Sequence, residues 1–320
     1  MKETNPVTPL IGKDPAFEAQ LRAARLVAAT DVPVLIQGES GTGKDLLARL
    51  LHAESPRASG PLVAVNCAAL PADLAESLLY GHRRGSFTGA DADHAGFVRE
   101  AHGGTLLLDE IGDMPSGLQA KLLRFLESGE FQPIGAPRAE HADVRILAAT
   151  NRDLAGEVAA GRFRADLFYR LNVVPLGLPP LRERPGDLPL LMEHFLAELG
   201  ERHGLPAPRI GRDALQLLRR WHWPGNVREL RNLCERLLIL FPGGRVGAGN
   251  LPPEMRSPQP AQVRPLLELP GEGLSLRELE VELIRQALAR TGGNRSRAAR
   301  LLGLTRDTLL YRLKKYAIEG

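Results

Sequence analysis

A chain of 320 residues, 43% of them hydrophobic, is long enough for about two domains with real cores. It has no apolar run approaching ~18 residues and no apolar core behind Met1-Lys2-Glu3-Thr4-Asn5, which argues against a membrane span or a secretory leader and makes a cytoplasmic protein the expectation. The net charge of +3 is too small to matter as a total, and two cysteines, Cys67 and Cys234, match neither a metal spacing nor a disulfide framework. Both lie in apolar contexts and read as small buried residues.

Along the chain, Pro15 to Ala29 carries apolar residues at helical spacing (Phe17, Leu21, Ala24, Ala28). A β-prone run, Val34-Leu35-Ile36, then leads into Gly38-Glu39-Ser40-Gly41-Thr42-Gly43-Lys44-Asp45, and Leu46, Leu47, Leu50 and Leu51 lead out with helical spacing. Strand, glycine-rich turn, lysine and helix together are the context of a phosphate-binding loop. Its glycines let backbone N–H groups turn inward around a phosphate, and the helix adds its unpaired N–H groups and positive dipole end. Lys44 is placed to reach the β- and γ-phosphates. Asp45 stands where Ser or Thr usually gives Mg²⁺ a hydroxyl, but a carboxylate is also a hard oxygen ligand.

Leu62 to Val65 reads as a second strand ending at Asn66-Cys67, and a helix around Leu74 to Tyr80 precedes Gly81-His82-Arg83-Arg84-Gly85-Ser86-Phe87-Thr88-Gly89-Ala90, too glycine-rich for regular structure. Thr105-Leu106-Leu107-Leu108 is an uninterrupted apolar run ending in Asp109-Glu110, as expected of a parallel strand buried on both faces. A helix from about Ser116 to Ser128, a strand from Val144 to Ala149 ending at Thr150-Asn151, and a last strand within Leu171 to Leu178 complete an alternating pattern. Such alternation predicts a doubly wound α/β sheet with its ligand at the strand C-terminal ends, where Asp109, Glu110, Thr150, Asn151 and the glycine loop all fall. Asp109 fits the acidic residue that holds Mg²⁺ in phosphate-loop NTPases, and Glu110 suits polarising an attacking water.

Beyond Pro179-Pro180 the pattern turns helical, near 188–203, 212–221 and 226–241, and reads as a lid. Pro252, Pro253, Pro258, Pro260, Pro265 and Pro270 predict an extended, non-helical linker over 250–273. The last block, 274–318, is helical and basic: between Arg285 and Lys315 nine Arg and Lys residues face Asp307 alone, which suggests a nucleic-acid-binding appendage. Asn294 suits an N-cap, Ala298 and Ala299 a close helix crossing, and Gly303 a tight turn. Leu309, Leu310 and Leu313 bury one face of a final helix. Arg295, Arg297, Thr305, Arg306, Thr308, Arg312 and Lys315 are then left for DNA bases and phosphates.

Four motifs carry a resemblance that runs from about Leu10 to the C-terminus. Gly38 to Asp45, Gly85-Ser86-Phe87-Thr88-Gly89-Ala90, Leu178-Pro179-Pro180-Leu181-Arg182-Glu183-Arg184 and Trp223-Pro224-Gly225-Asn226-Val227-Arg228-Glu229-Leu230 resemble those of the NtrC-like AAA+ activators of sigma-54 RNA polymerase. In that family the hallmark loop reads Gly-Ala-Phe-Thr-Gly-Ala, so Ser86 is its one change here, and an acidic residue at the end of the phosphate loop is usual. The tail resembles the Fis-type helix-turn-helix of the same activators. The resemblance implies ATP and Mg²⁺ as cofactors, with Lys44 on the phosphates, Asp109 and Asp45 at the metal, and Glu110 activating water. It further implies that Asn66 restrains Glu110, that Thr150, Asn151 and Arg228 are nucleotide sensors, and that Arg164 and Arg170 are fingers inserted into a neighbouring subunit's site. Gly85 to Ala90, led by Phe87 and Thr88, would contact the sigma factor.

The expected architecture is an AAA+ α/β ATPase core over 8–178, a helical lid over 179–249, the linker over 250–273 and a helix-turn-helix over 274–320. The expected assembly is a hexameric ring built from dimers, acting on sigma-54 holoenzyme from an upstream palindromic DNA site, with no membrane partner. A DNA-binding regulator of the ordinary polymerase would not need Glu110 beside the Phe87 loop, and another AAA+ machine would not need that loop at all. Fewer than ten residues precede the match, so a regulatory domain found in many members is either naturally lacking or removed.

Overall fold

The computed structural model describes residues 10–87, 89–256, 275–316 and 318. They fall into two units, one ending at Gln259 and one beginning at Pro260. The order of the first unit opens with α1 (Pro15–Ala28), β1 (Val34–Gln37), α2 (Lys44–Ala53), β2 (Leu62–Asn66), α3 (Ala75–Tyr80), α4 (Phe97–Glu100) and β3 (Thr105–Asp109). There follow α5 (Ser116–Ser128), β4 (Glu130–Phe131), β5 (Glu140–His141), β6 (Arg145–Thr150), α6 (Leu154–Ala159), α7 (Ala165–Leu171) and β7 (Val174–Gly177).

Five of these strands form one parallel sheet in the order β2-β3-β6-β1-β7. Successive side chains on a strand point to opposite faces, and here both faces are apolar. Leu35, Leu106, Leu108, Ile146 and Ala148 pack with α3, α5 and α7 on one side. Val34, Ile36, Leu107, Leu147 and Ala149 pack with α1 and α2 on the other. That two-sided burial is why the strands read as continuous apolar runs. Arg145 is 1% exposed at the start of β6, and its guanidinium donates to the carbonyls of Val27 and Ala28 (each 3.0 Å) and approaches Leu51 O (3.5 Å). A cation thus meets the carbonyl ends of α1 and α2, and burial pushes its pKa down.

The lid comprises α8 (Leu188–His203), β8 (Arg209–Ile210), α9 (Arg212–Arg220), α10 (Asn226–Leu240), β9 (Arg245–Val246) and α11 (Pro253–Arg256). Leu191, Phe195, Leu218, Trp223, Leu233 and Leu237 lie in its core. Its α8 end is moored to the chain's N-terminal segment: the buried carboxylate of Asp187 accepts from the N–H groups of Lys13 (2.7 Å) and Asp14 (3.2 Å), and Arg184 lies 4.5 Å from the Phe17 ring centroid.

Two expectations need correction. The last strand begins at Val174, because residues up to Leu171 belong to α7 and bury Leu167 and Leu171. The linker does not begin at 250: Leu251 and Met255 are buried in the lid core, and Pro253 starts α11, where proline's missing N–H is no loss. Residues 257–274, the rest of that segment, lie outside the described residues.

The second unit contains α12 (Leu276–Arg290), α13 (Arg295–Leu301) and α14 (Arg306–Lys315), closed around Ile284, Leu288, Ala298, Ala299, Leu309 and Leu313. Asn294 Oδ1 accepts from Arg297 N (3.1 Å) and Thr305 Oγ1 from Thr308 N (3.2 Å), so each short helix is capped by its own side chain. Gly303, at φ 67°, makes the turn between α13 and α14.

The linker correction is testable. Leu251→Ala removes a fully buried side chain and is expected to cost about 2–5 kcal/mol in denaturant unfolding, whereas an exposed linker position would cost within about 0.5 kcal/mol.

Candidate functional site

The site forms where β1, β2, β3 and β6 end. In register, Asn66 lies opposite Asp109, and Gln37 opposite Thr150, so residues from distant stretches meet along one sheet edge. Between β1 and α2 the chain makes the expected glycine turn, with Gly41 at φ 79° and Gly43 at φ 102°. Gly41 answers a second demand besides its backbone angle: a Cβ there would stand 2.4 Å from the carbonyl oxygen of Gly225 in the lid.

Lys44 is buried at the first position of α2, and its Nζ donates to Gly38 O (2.9 Å) and Glu39 O (3.4 Å). It also stands 3.8 Å from Glu110 Oε1. Glu110 holds a left-handed backbone (φ 50°, ψ 48°), unusual for a residue with a side chain and the kind of local strain found at functional positions. Its carboxylate accepts from Asn151 N (3.2 Å), while its own N–H donates to Asp109 Oδ1 (3.0 Å). The cation, the two acids and the β6 terminus are therefore brought together.

Asn66 is not placed as the resemblance implied. Its Oδ1 caps the next turn through Ala68 N (2.9 Å), and the group holding Glu110 is the backbone of Asn151. Buried Thr150 accepts from Arg152 N through Oγ1 (3.0 Å), and Arg152 is paired with Asp113. Cys67 is buried beside these acids: burial first, then the charges of Asp109, Asp113 and Glu110, push its thiol up to about 12, so it stays an inert neutral group.

Asp45, Asp109 and Asn66 line one small cavity of about 180 Å³. Their oxygens are hard donors, but among the described residues no group of three or more His, Cys, Asp or Glu could hold a metal alone. That combination suits Mg²⁺, which is commonly bound by one or two carboxylates together with substrate phosphates.

The lid closes over the loop through contacts that sequence reading missed. Asn226 is fully buried at φ 50°. Its Oδ1 accepts from Leu181 N (2.8 Å), and its Nδ2 donates to Ser40 O (3.0 Å) and Glu39 Oε2 (3.2 Å). Arg182 makes a two-pronged contact with Glu39 (2.6 and 2.7 Å), which holds that carboxyl below the usual range, helped by Asn226. Val227 N donates to Gly41 O (3.0 Å), and Arg228 Nη1 to Ser40 Oγ (3.0 Å). Nothing in the sequence links positions some 190 residues apart; the Trp223 to Leu230 motif was the one available pointer, and only Arg228 was drawn from it.

Arg164 and Arg170 flank α7 on the surface: Arg164 is paired with Asp166 (2.7 Å), and Arg170 Nη2 donates to Leu126 O (3.1 Å). The Phe87 loop leaves α3 at Gly81. Its base is fixed by paired backbone bonds between His82 and His94 (3.0 Å each way) and by Arg83 N to Ile134 O (2.9 Å). Gly85 N donates to Ala90 O (2.8 Å), closing the tip, where Ser86 is half-buried and Gly89 exposed. Phe87 is half-buried, resting edge-on against the His82 ring with centroids 5.0 Å apart. Thr88 lies outside the described residues.

In the second unit Arg295, Arg297, Thr305 and Arg306 are exposed near the ends of α13 and α14, as is Lys315, which lies 5.1 Å from the Tyr316 ring. Two of the expected DNA contacts have internal partners: Arg312 pairs with Glu280, and the Thr305 and Thr308 hydroxyls bond to each other (2.7 Å).

A parallel sheet with a lysine-bearing glycine turn, an Asp-Glu strand end, a helical lid and a separate three-helix unit defines an AAA+ ATPase joined to a helix-turn-helix. The sigma-54 interaction domain family matches residues 10–177, the AAA+ ATPase lid domain 182–266, and the Fis family of bacterial regulatory proteins 275–316. The chain is 47% identical over 306 residues to the transcriptional regulatory protein ZraR of Salmonella typhimurium, covering 96% of this chain and 68% of that protein. It is 44% identical over 344 residues to the DNA-binding transcriptional regulator NtrC of Azospirillum brasilense, covering 99% and 71%. Among solved structures, NtrX of Brucella abortus in complex with ADP superposes with a TM-score of 0.72 at 38% identity, over 97% of this chain and 69% of that one. The same protein in complex with ATP gives the same TM-score. The chain belongs to the NtrC-like, sigma-54-dependent transcription activators, AAA+ ATPases that carry a Fis-type DNA-binding domain.

The clamp carries two predictions. Asn226→Ala leaves Leu181 N–H and Ser40 C=O without their partner, each worth about 1–3 kcal/mol, and should lower the melting temperature sharply. The folded pKa of Glu39 is depressed, so its pairing contributes fully above the unfolded value of about 4.3 and is lost as pH falls through the folded pKa. The gap in melting temperature between wild type and Glu39→Gln should accordingly be flat from pH 7 to about 5 and shrink below that; a gap that grows on acidification would contradict it.

Proposed function

We propose that this protein binds and hydrolyses ATP with Mg²⁺ at the junction of phosphate loop, β3 and lid, in a cytoplasmic ring of subunits bound to a palindromic upstream DNA site. We further propose that Phe87 carries the resulting movement to sigma-54. The observation that carries the reading is the cluster of Lys44, Glu110 and the Asn151 N–H at the sheet edge, beneath a lid that grips Glu39 and Ser40.

In the mechanism, Lys44 exchanges its contacts with Gly38 O and Glu39 O for β- and γ-phosphate oxygens. Asp109 and Asp45 hold Mg²⁺, directly or through water, and the metal neutralises charge on the phosphates when bound. Glu110, released from Asn151 N, accepts a proton from the water that attacks the γ-phosphorus, giving ADP and phosphate. Asn151 therefore takes the restraining part expected of Asn66. Thr150 and Arg228 report the γ-phosphate to β6 and the lid. Arg164 or Arg170 of one subunit leaves its resting partner to stabilise the transferring phosphoryl group in the next.

The Phe87 ring, half-buried on His82, gives up a small aromatic contact when the loop rises. An aromatic pair is worth about 0.5–1.5 kcal/mol, small enough for nucleotide binding to overcome. Core residues 8–178 and a lid beginning at 179 are the domains this reading uses, with the lid extended through Arg256. Arg306 and the α13–α14 turn are its DNA contacts, with Arg295, Arg297, Thr305, Thr308 and Lys315 beside them and Arg312 available once it leaves Glu280.

Glu110→Gln should bind ATP normally and lower turnover by about 10²–10⁴. Mixing tests the fingers. Lys44→Ala and Arg164→Ala proteins, each inactive alone, should recover ATPase activity together, because one supplies the finger and the other the intact cradle. No recovery, with Arg170→Ala tested in the same way, would place both arginines outside the neighbour's site.

A further inference from the structure

Behind the Phe87 loop lies a second cleft of about 280 Å³, between α3, α5 and the β4–β5 hairpin. That volume is close to the lower end for small-molecule sites. Tyr80 and Phe131 stack in its wall with centroids 6.4 Å apart, and Ile134 adds apolar surface. Tyr80 is 2% exposed, and its hydroxyl has no hydrogen-bond partner. A buried phenol without an acceptor is costly, which points to something that occupies the cleft and accepts from it. Burial keeps this hydroxyl protonated, with the charge of Glu76 acting in the same direction, so it remains a donor.

The rim carries both signs of charge. Glu76 is paired with Lys121, and Arg124 with Glu130 at 3.5 Å, and all four line the cleft. Two cations and two carboxylates around an apolar floor disfavour a ligand of net charge and complement one that carries both signs a few ångströms apart. We propose that the cleft binds a free α-amino acid with an apolar side chain. Its carboxylate accepts from the Tyr80 hydroxyl and faces Lys121 and Arg124, its ammonium faces Glu76 and Glu130, and its side chain rests on Phe131 and Ile134.

The site is wired to the loop in front of it. Ile134 N donates to Gly81 O (3.0 Å), Arg83 N donates to Ile134 O (2.9 Å), and a Cβ on Gly135 would stand 2.7 Å from Ser86 Cβ. A ligand wedged against Ile134 thus bears on both ends of the Phe87 loop's anchor. This consequence rests on the reading of Phe87 given above; the binding itself does not.

Calorimetric titration of the full chain with L-phenylalanine and L-leucine, without nucleotide, DNA or polymerase, tests the site. Saturable binding is expected. It should weaken about tenfold or more for 3-phenylpropanoate and 2-phenylethylamine, which each lack one charge, and by a similar factor in Tyr80→Phe and Lys121→Met. Tyr80→Phe keeps the ring that packs on Phe131, and unfolding curves of both variants establish that they fold. No saturable binding to wild type, equal binding of the singly charged analogues, or undiminished binding by folded Tyr80→Phe overturns the proposal, the last marking the hydroxyl as a water site. ATPase activity measured on the same samples separates this outcome from failure of the catalytic reading: a wild type that hydrolyses ATP but binds neither amino acid sinks the cleft alone.

Discussion

One buried amide holds the first unit's two halves in register. Asn226, with no exposed surface, bonds at once to Leu181 at the start of the lid and to Ser40 and Glu39 in the phosphate loop. It does so from a left-handed backbone that a residue with a side chain adopts only when its surroundings enforce it. Every neighbouring feature follows from the closeness this demands. Gly41 must lack a Cβ because the Gly225 carbonyl occupies its place, Arg182 can reach both oxygens of Glu39, and Val227 N can pair with Gly41 O. A change in the loop on binding phosphates is therefore felt directly by α10.

The same economy of contacts governs the other side of the sheet edge. Lys44, Glu110 and Asn151 form a short chain of weak interactions, 3.8 and 3.2 Å long, that a triphosphate can replace. Asp109 and Glu110 end the strand beside β2, and β2 leads on through Cys67 to α3 and the Phe87 loop. The loop's anchor is backbone pairing, which is stiff, while its tip rests on one edge-on contact with His82, which is not. A stiff base and a loosely held aromatic tip are the properties a lever needs.

How much could be read beforehand depended on the range of the interactions involved. The sheet was legible because burial on both faces leaves a local mark: Thr105 to Leu108 is apolar without interruption, and its neighbours in register share the feature. The chemistry at the strand ends was legible because Lys44, Asp109 and Glu110 follow directly from strands. The linker was misjudged because proline counts blur position: Pro253 opens a helix, and Leu251 and Met255 anchor it in the lid. The role expected of Asn66 fell to a backbone N–H, which no side-chain pattern can announce. The Asn226 clamp, the Arg145 guanidinium across two helix ends and the Tyr80 cleft depend on contacts between distant stretches, for which the sequence offers no period or spacing.

The central claim is that ATP turnover is converted into work on sigma-54 through Phe87. It is tested most directly by permanganate footprinting of a sigma-54 promoter in the presence of holoenzyme, comparing wild type with Phe87→Ala and ATP with a non-hydrolysable analogue. The account predicts that wild type melts the promoter with ATP alone, and that Phe87→Ala hydrolyses ATP at the wild-type rate yet leaves the promoter closed. Melting by Phe87→Ala, or by wild type with the non-hydrolysable analogue, would contradict it.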